Sequence, residues 1–299
     1  MSTLFAGDGN VDLQLTGLAS LPQTDREVTC SGFAEALGGS TTICAAAYAL
    51  LGGDCAYAGL LGDDHYGHFV KDALGEAGVH LDLVRTTSEC PTGVTVNLVY
   101  RSTRTQVTFP GTLAILDETD SVLRELGRFS HLHLAGPYPL RRFLPRVREV
   151  LAAARSARLS TSMTTQWDPR QEWKGLPEWL PLLSVLFVNE EEALSITARR
   201  TVEEAWKDLA ARTACPLITR GDSGAYADGR SFEALKVAVV DPTGAGDTFA
   251  AAFLWAKNDK GMALPDAVRY ACAAGALACT YTGGVNRLLS HARVRELIQ

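Results

Sequence analysis

The stretch that decides the fold is Asp241-Pro-Thr-Gly-Ala-Gly-Asp-Thr-Phe-Ala250, in which a turn of small residues leads into an apolar segment. The run before it, Ala234 to Val240, is rich in β-branched residues and predicts a strand. The run after it, Phe249 to Ala256, is apolar on every side, which is typical of a helix buried inside a large α/β domain. This order places the turn at a sheet edge and at a helix N-terminus.

The turn has the composition of an anion site. Gly244 and Gly246 permit backbone angles that let the N–H groups of Ala245, Gly246 and Asp247 converge on one point. These donors and the positive end of the helix favour a phosphate or a similar anion. The sequence therefore predicts an anion-binding turn at the start of this helix.

Asp247 needs a separate explanation, because a carboxylate would repel a bound phosphate. One interpretation is that Asp247 only caps the helix and that residues 241–244 are a plain turn. The interpretation that we favour is that Asp247 faces a hydroxyl that attacks the anion. We expect the helix N-terminus to keep Asp247 ionised, which would make it a modest base.

Outward from this stretch, short apolar runs alternate with longer helical stretches, a pattern that predicts an α/β fold with a parallel sheet covered on both faces. The predicted strands lie near Leu4 to Ala6, Cys55 to Gly59, Ser130 to Ala135, Leu159 to Met163, Val185 to Val188, Pro216 to Thr219 and Ala234 to Val240. The predicted helices cover Thr41 to Leu51, Gly67 to Ala77, Arg141 to Ala157, Thr201 to Arg212, Asp247 to Lys257 and Pro265 to Tyr281.

Two segments interrupt this alternation. Residues 13–36 and 92–111 are polar, rich in Thr and β-branched residues, and lack helical periodicity. We expect them to pair into a small sheet that forms a lid over the carboxyl ends of the parallel strands, where ligands of α/β proteins bind. The chain is thus predicted to be a single α/β domain, residues 1–299, with two inserted lid segments.

Composition excludes several function classes. The 299 residues are 46% hydrophobic and carry a formal net charge of −6, which gives no basic footprint for nucleic acid. No run approaches the roughly 18 apolar residues of a membrane span, and the N-terminus has no secretory pattern, so we expect a cytoplasmic protein without membrane partners. The seven cysteines include no C-x-x-C pair, which argues against a disulfide framework or a zinc site.

The first strand leads into Gly7-Asp-Gly-Asn-Val-Asp12, part of a dinucleotide-binding fingerprint. The third glycine is replaced by Asp12 and no helix follows, so a dinucleotide site is disfavoured. Asn10 and Asp12 alternate along a strand end and can point the same way, towards vicinal hydroxyl groups. A simple polar turn is the alternative.

Three further motifs also follow apolar runs or begin helices. Gly38-Gly39 leads into a helix of small residues and would let a ligand approach the backbone. Asn189-Glu-Glu-Glu192 is either a carboxylate cluster that holds water around Mg²⁺ or the acidic first turn of a helix. Thr219-Arg220-Gly221 predicts a second phosphate-facing turn. His65 and His68 are assigned to a polar loop, because Gly67 is expected to interrupt any helix there.

Taken together, these motifs resemble the PfkB or ribokinase-like carbohydrate kinase family, in family order and over essentially the whole chain. The matching segments are Asn10 with Asp12, Gly38-Gly39, Gly59 to Gly67, Pro91 to Gly93, Asp168-Pro169 with Trp173, Asn189 with Glu192, Thr219 with Gly221 and Gly224, and Asp241 to Asp247. The resemblance implies a three-layer α/β/α fold with a small β lid.

The resemblance also implies roles for individual residues. Asp247 would be the catalytic base, with Gly244 to Gly246 as the anion hole. The nucleotide would contact Asn189, Thr219, Arg220, Gly221, Gly224 and the region of Cys272 and Gly275. Glu192 would hold Mg²⁺ through water. Asp241 and Thr243 would bind a monovalent cation such as K⁺. The acceptor would contact Asn10, Asp12, Gly38 and Gly39, while Ile43 stands where the family often has an acceptor-binding Asn.

The expected function is an ATP-dependent kinase that phosphorylates a hydroxyl of a sugar or sugar acid, similar to ribokinase, fructokinase or 2-keto-3-deoxygluconate kinase. A nucleoside kinase of the same fold is an alternative. Arg101 and Arg104 raise another alternative, a sugar phosphate as acceptor, since guanidinium groups bind a second phosphate well. Two arginines in a lid segment are also typical of a solvated face. A non-catalytic sugar or nucleotide sensor is the alternative from another class, and a homodimer formed through the lid is also expected.

Overall fold

The computed structural model describes residues 2–100 and 103–299. The strands are Thr3–Gly7 (β1), Asn10–Thr16 (β2), Gly32–Gly38 (β3), Cys55–Gly62 (β4), Val84–Thr87 (β5), Gly93–Tyr100 (β6), Thr103–Phe109 (β7), His131–Ala135 (β8), Ser160–Thr164 (β9), Val185–Asn189 (β10), Pro216–Thr219 (β11), Ala225–Ala227 (β12) and Arg230–Phe232 (β13). The helices are Ser40–Leu50 (α1), His65–Ala77 (α2), Thr119–Glu125 (α3), Val147–Ser156 (α4), Leu176–Trp179 (α5), Glu190–Thr197 (α6), Val202–Ala210 (α7), Ala245–Leu254 (α8), Leu264–Ala278 (α9) and His291–Ile298 (α10).

Nine strands form the central sheet, in the order β13-β12-β11-β10-β9-β8-β1-β4-β5. The strands from β11 to β5 are parallel, and the β12–β13 hairpin continues the sheet in antiparallel fashion. Strand β1 lies between β8 and β4, so the chain crosses to opposite sides of β1. Open α/β sheets bind ligands at such a switch point, at the carboxyl ends of the strands.

Helices cover both faces of this sheet. Phe5 packs into one hydrophobic core with residues of α1, α2, α8 and α9. Its neighbours Leu4 and Ala6 point the other way, into a second core with residues of α4 and α7. One central strand thus contributes to both cores, as the alternation of side chains along a strand requires. The three-layer α/β/α prediction is confirmed.

The two predicted irregular segments pair into a separate four-stranded sheet, in the order β3-β2-β6-β7. We call it the small sheet. Its register places Asn10, Asp12 and Gln14 of β2 on one face with Thr95 and Asn97 of β6. The opposite face is largely apolar and includes Leu15 and Phe33, Val96 and Val107, and Val94 and Phe109 as cross-strand partners.

The strand predicted for Ala234 to Val240 is wrong. This segment has no regular secondary structure and joins neither sheet, and the edge of the central sheet next to β11 is formed by the β12–β13 hairpin instead. Val239 and Val240 are more than half exposed, so their β-branched side chains do not mark a buried strand. The Val240 N–H donates to the carbonyl of Cys279, which attaches the segment to the end of α9.

Helix boundaries differ from the predictions at three places. Gly67 does not interrupt a helix: α2 begins at His65, and Asp64 caps it by accepting from the Gly67 N–H at 2.7 Å. A Cβ at Gly67 would lie 2.0 Å from the Gly62 carbonyl, so the glycine lets α2 start directly against β4. The helix predicted from Arg141 starts only at Val147, and α8 continues as a π-helical turn, Trp255–Asp259. Within the described residues, no helix is long and apolar enough to cross a membrane.

Candidate active site

The predicted site residues come together at the carboxyl edge of the central sheet. Strand β1 ends at Gly7 and is followed by Asp8, and the start of α1 lies next to it. Strands β10 and β11 end side by side, with Asn189 and Thr219 as register partners. The chain therefore brings segments that are far apart in sequence to one edge, as the strand order requires.

Asp247 lies in the first turn of α8, but it does not cap that helix. The residue at the cap position is Gly244, and no side-chain hydrogen bond closes the helix end. Instead, the carboxylate of Asp247 accepts a short hydrogen bond from the hydroxyl of Ser40, at the start of α1. The interpretation of Asp247 as a capping residue is thereby wrong, and its carboxylate is directed towards α1.

The surroundings of Asp247 raise its pKa to about 7. Burial of the carboxylate is the largest cause, and the charges of Asp8, Glu192 and Asp12 raise the pKa further, while the hydrogen bond from Ser40 lowers it. Burial therefore acts against the ionised form that the helix N-terminus is expected to favour, because desolvation disfavours a charged carboxylate. A carboxylate with this pKa is well matched to proton transfer near neutral pH.

Asp8 was missed by the sequence analysis, although it stands between two glycines directly after β1. Its buried carboxylate accepts from the N–H groups of Ser40 and Thr41 at 2.9 and 2.8 Å, and from the Thr41 hydroxyl at 2.7 Å. Burial raises the pKa of Asp8. Asp8 thus fixes the N-terminus of α1 and, through it, the hydroxyl of Ser40 that contacts Asp247.

The turn from Asp241 to Gly246, which we call the anion turn after its predicted ligand, contains two glycines with different surroundings. Gly244 has φ 72°, and a Cβ there would lie 2.2 Å from the Gly284 carbonyl, so this position requires glycine. A Cβ at Gly246 would have no atom within 4 Å, so that side of the turn is open. The Ala245 N–H makes a long contact of 3.3 Å with the Pro242 carbonyl, whereas Gly246 and Asp247 occupy first-turn positions that lack an intrahelical acceptor.

Asp241 braces the turn from within. One of its carboxylate oxygens accepts from the backbone N–H and the hydroxyl of Thr243, at 2.9 and 2.6 Å. The other accepts from the Gly283 N–H at 3.0 Å. Asp241 therefore connects the anion turn to the loop after α9, with one carboxylate oxygen bound to each segment.

Asn10 and Asp12 are buried side by side on the small sheet, as the alternation of β2 predicts. The Asn10 amide donates to the Thr95 hydroxyl at 3.0 Å and lies 3.4 Å from an oxygen of Asp12. A Cβ at Gly38 would lie 2.4 Å from that Asp12 oxygen, and one at Gly39 would lie 2.9 Å from the side-chain Oδ1 of Asn10. The glycine pair thus allows α1 to begin directly against both side chains.

Asn189 and Glu192 form the capping box of α6. The Asn189 side chain accepts from the Glu192 N–H at 2.8 Å, and Glu192 accepts from the Asn189 N–H at 3.0 Å and from the Thr165 hydroxyl at 3.2 Å. The acidic run thus forms the first turn of α6, and its last member, Glu192, is buried. Burial raises the pKa of Glu192, a buried carboxylate close enough to influence Asp247.

The predicted second phosphate turn lies beside this capping box. The Arg220 N–H donates to the Gly224 carbonyl at 2.7 Å, and Gly221 and Gly224 both have positive φ, which the tight turn requires. The guanidinium of Arg220 pairs with Glu190 at 3.3 Å, so it is directed to α6. Thr219 stays at the strand end with its hydroxyl 3.5 Å from the Val188 carbonyl.

The remaining predicted residues pack against the turn at Gly244 or lie in α9. In α9, a Cβ at Gly275 would lie 3.1 Å from the Ala245 carbonyl, so this glycine lets α9 pack against the start of α8. Cys272 is buried, and burial raises the pKa of its thiol to about 11. Ile43 is buried against Gly284, beneath the anion turn. Arg101 and the side chain of Arg104 lie outside the described residues.

The described residues thus bring together a buried acid, Asp247, an open turn at Gly246, and the polar face of the small sheet with Asn10 and Asp12. The pfkB family carbohydrate kinase profile matches residues 5–291. The chain belongs to this family, as its motifs predict.

Individual relatives are distant but cover nearly the whole chain. An ATP-dependent ribose-1-phosphate kinase of Halopiger xanaduensis is 29% identical over 293 residues, 92% of this chain and 90% of the relative. An aminoimidazole riboside kinase of Salmonella typhimurium is 28% identical, covering 94% and 90% of the two chains. The structure of Arabidopsis thaliana ribokinase with ribose and ATP superposes with a TM-score of 0.82 at 24% identity, covering 100% and 98%.

Proposed function

We propose that this enzyme transfers the γ-phosphoryl group of ATP to a hydroxyl of a sugar or sugar acid, with Asp247 as the base. The observation that supports this most is the position of Asp247 between two groups of residues. Its neighbours on one side are Ser40 and the Asn10–Asp12 face, and on the other it belongs to the open turn at Gly246. An acceptor hydroxyl and a phosphate would meet there.

The chain supplies positioning and charge stabilisation, which is most of what phosphoryl transfer needs. Asn10 and Asp12 would hold acceptor hydroxyls, with Gly38 and Gly39 allowing close approach. The backbone of Gly244 to Gly246 would stabilise the transferred group, and Asp247 would orient the attacking hydroxyl and accept its proton. Asn189, Thr219, Arg220, Gly221, Gly224, Cys272 and Gly275 would border the nucleotide.

Two cations fit the proposed chemistry. Mg²⁺, held through water by Glu192, would neutralise charge on the phosphates. The cation would also stabilise the ionised form of Glu192, whose pKa is raised by burial. Within the described residues no cluster of three or more His, Cys, Asp or Glu side chains could hold a metal alone, which suits an ion bound largely by phosphate and water. A monovalent cation such as K⁺ would lie near Asp241 and Thr243, and exchange of K⁺ for Na⁺ in the assay tests it.

The base assignment is tested by Asp247→Asn. Turnover is expected to fall about 100-fold or more, because the acceptor proton loses its base, while ATP affinity stays nearly unchanged. ADP release measures the first quantity and calorimetric ATP titration the second. Asp266→Asn on α9, an exposed acid paired with Arg269, is the matched control and should keep full turnover. Near-normal turnover in Asp247→Asn would refute the assignment.

The acceptor class has two further candidates. The similarity to a ribose-1-phosphate kinase favours a sugar phosphate, for which Arg101 and Arg104 would supply guanidinium groups. The similarity to an aminoimidazole riboside kinase favours a nucleoside. ADP release with pentoses, hexoses, 2-keto-3-deoxy sugar acids, sugar phosphates and nucleosides, each with MgATP and K⁺, distinguishes them. Binding without ADP release for all of them would indicate a sensor.

The chain is proposed to act as one unit, residues 1–299, with the segments 13–36 and 92–111 as a lid, and to work in the cytoplasm as a homodimer. The apolar face of the small sheet supports the dimer, because Phe33, Val107 and Phe109 there are more than half exposed. A second copy offers the same face, so a two-fold contact would cover both patches at once.

A further inference from the structure

The small sheet carries a second row of polar side chains beyond Asn10 and Asp12. Because side chains alternate along a strand, Gln14 of β2 shares the face of Asn10 and Asp12. Its cross-strand partner on β6 is Asn97, whose partner on β7 is Gln106. We call Gln14, Asn97 and Gln106 the amide row, since three amides stand in register across three neighbouring strands.

The amide row is buried at its centre but largely unpaired. Gln14 is 1% exposed and Asn97 is 0% exposed. Gln106 Nε2 donates to the side-chain Oδ1 of Asn97 at 2.9 Å. Among the described residues, Nε2 and Oε1 of Gln14 and Nδ2 of Asn97 have no hydrogen-bond partner. Buried polar groups are nearly always hydrogen-bonded in folded proteins. The row therefore has hydrogen-bonding capacity that the free chain does not use.

The neighbours of the row do not explain these amides as packing residues. On β3 the side chains beside Asp12 and Gln14 are only Ala36 and Ala34, which offer no polar partner. The neighbouring row nearer the catalytic edge is different: there the hydroxyls of Thr95 and Thr108 lie 3.1 Å apart, and Asn10 donates to Thr95. One polar row is thus largely satisfied within the sheet, and the next is not.

We propose that the amide row is a second subsite for the acceptor. The acceptor would be longer than a pentose, and the end that lies away from its reacting hydroxyl would carry neutral hydroxyl groups that contact the row. The inference rests on the kinase function proposed above. Same-face residues along a strand are about 7 Å apart, so groups held by Asp12 and by Gln14 are separated by about that distance. A hexose or a glycoside spans it.

The chemistry of the row selects among acceptors. Amides donate and accept without carrying charge, which matches hydroxyl groups. Along the described strands, no aromatic side chain lies on this face, so a nucleobase would find no ring on which to stack. The unpaired atoms are closed to solvent, so the acceptor reaches them when the small sheet moves away, and closure then pairs them with its hydroxyls.

Gln14→Met tests the subsite, because Met keeps a similar length and removes the amide. The expected result is a loss of about tenfold or more in kcat/KM for fructose, mainly through KM, and a clearly smaller loss for ribose. The Tm of the ligand-free protein should rise, because an unpaired buried amide has been removed. Leu15→Met, on the apolar face of β2, is the control and should leave the fructose-to-ribose ratio of kcat/KM unchanged.

An equal loss for fructose and ribose in Gln14→Met, or a fall in Tm with an unchanged ratio, would show that the row only supports the sheet and would overturn the proposal. A wild-type preference for ribose over fructose, glucose and sucrose would overturn it as well. Absence of ADP release with every acceptor would contradict the kinase function instead. In that case the thermal shift by fructose still tests the row: it should be present in the wild type and reduced in Gln14→Met.

Discussion

At the scale of single residues, the contact between Ser40 and Asp247 joins two parts of the site. Asp247 belongs to the helix that begins at the anion turn, whereas Ser40 begins the helix that follows the glycine pair. The hydroxyl opposes the effect of burial, because its hydrogen bond favours the ionised carboxylate. In the proposed mechanism, Ser40 would thus be a positioning residue that sets the ionised fraction of the base Asp247.

Ser40→Ala is expected to move the acid limb of the kcat/KM profile to higher pH. Asp247 acts as a base only when ionised, so activity is lost as the pH falls through its pKa, and removal of the hydrogen bond raises that pKa. The loss should be about tenfold at pH 6 and should shrink towards pH 9. The measurement is kcat/KM across this range.

Cys44→Ala is the control for Ser40→Ala. The Cys44 thiol donates to the backbone carbonyl of Asp247 at 3.1 Å and does not contact the carboxylate. The acid limb should therefore stay in place in Cys44→Ala. A Ser40→Ala profile that is uniformly lower but unchanged in shape would show that Ser40 acts only on the local structure.

At the scale of elements, the turn between Asp241 and α8 is held by contacts with α9 and with the loop that follows it. Gly244 approaches the Gly284 carbonyl, Asp241 binds the Gly283 N–H, and Gly275 lets α9 reach the Ala245 carbonyl. The contacts at Gly244 and Gly275 need a residue without a side chain, and the contact with the Gly283 N–H uses the short carboxylate side chain of Asp241. The shape of the anion turn is therefore set by its packing against α9 as well as by its own sequence.

The two glycines of the turn are expected to respond differently to alanine. Gly244→Ala combines a positive φ with a backbone clash and should cost about 2 kcal/mol or more, seen as a fall in Tm of roughly 4 °C or more. Gly246→Ala meets no atom within 4 Å and should keep the Tm while the new methyl group obstructs the anion, raising the KM for ATP. Thermal unfolding and ADP-release kinetics measure both. Equal Tm losses would contradict this division of roles.

At the scale of the whole molecule, the small sheet has two faces of different composition. Its polar face carries Asn10, Asp12 and the amide row, and its apolar face exposes Phe33, Val107 and Phe109. An exposed apolar sheet face is typical of a surface that is covered in the assembled protein. In the proposed dimer, the same sheet would close over the acceptor and contact the second copy.

Val107→Lys is expected to convert the proposed dimer to a monomer, because a charge would be buried in the apolar contact. Light scattering coupled to size exclusion measures the mass. Val239→Lys is the control, since Val239 is 64% exposed but lies outside the small sheet. A monomeric wild-type protein, or a dimer that persists in Val107→Lys, would contradict assembly through this face.

Features that depend on local pattern could be predicted from the amino-acid sequence. The alternation of apolar runs indicated the parallel sheet, the spacing of Asn10 and Asp12 indicated their shared face, and Gly244 to Asp247 indicated a turn at a helix start. These predictions succeed because the alternation of side chains along a strand and the backbone conformations open to glycine depend only on neighbouring residues.

Features that depend on distant segments required the folded chain. The pKa of Asp247 results from burial and from Asp8 and Asp12, which are more than 200 residues away in sequence. The run from Ala234 to Val240 has strand-like composition but joins neither sheet, and the β12–β13 hairpin continues the central sheet beyond β11 instead. The unpaired amides of the second polar row emerge only once β2 and β6 are set in register. Burial, the position of a segment relative to the sheet edge, and strand register all depend on residues that are distant in sequence. They therefore cannot be predicted from a local sequence pattern.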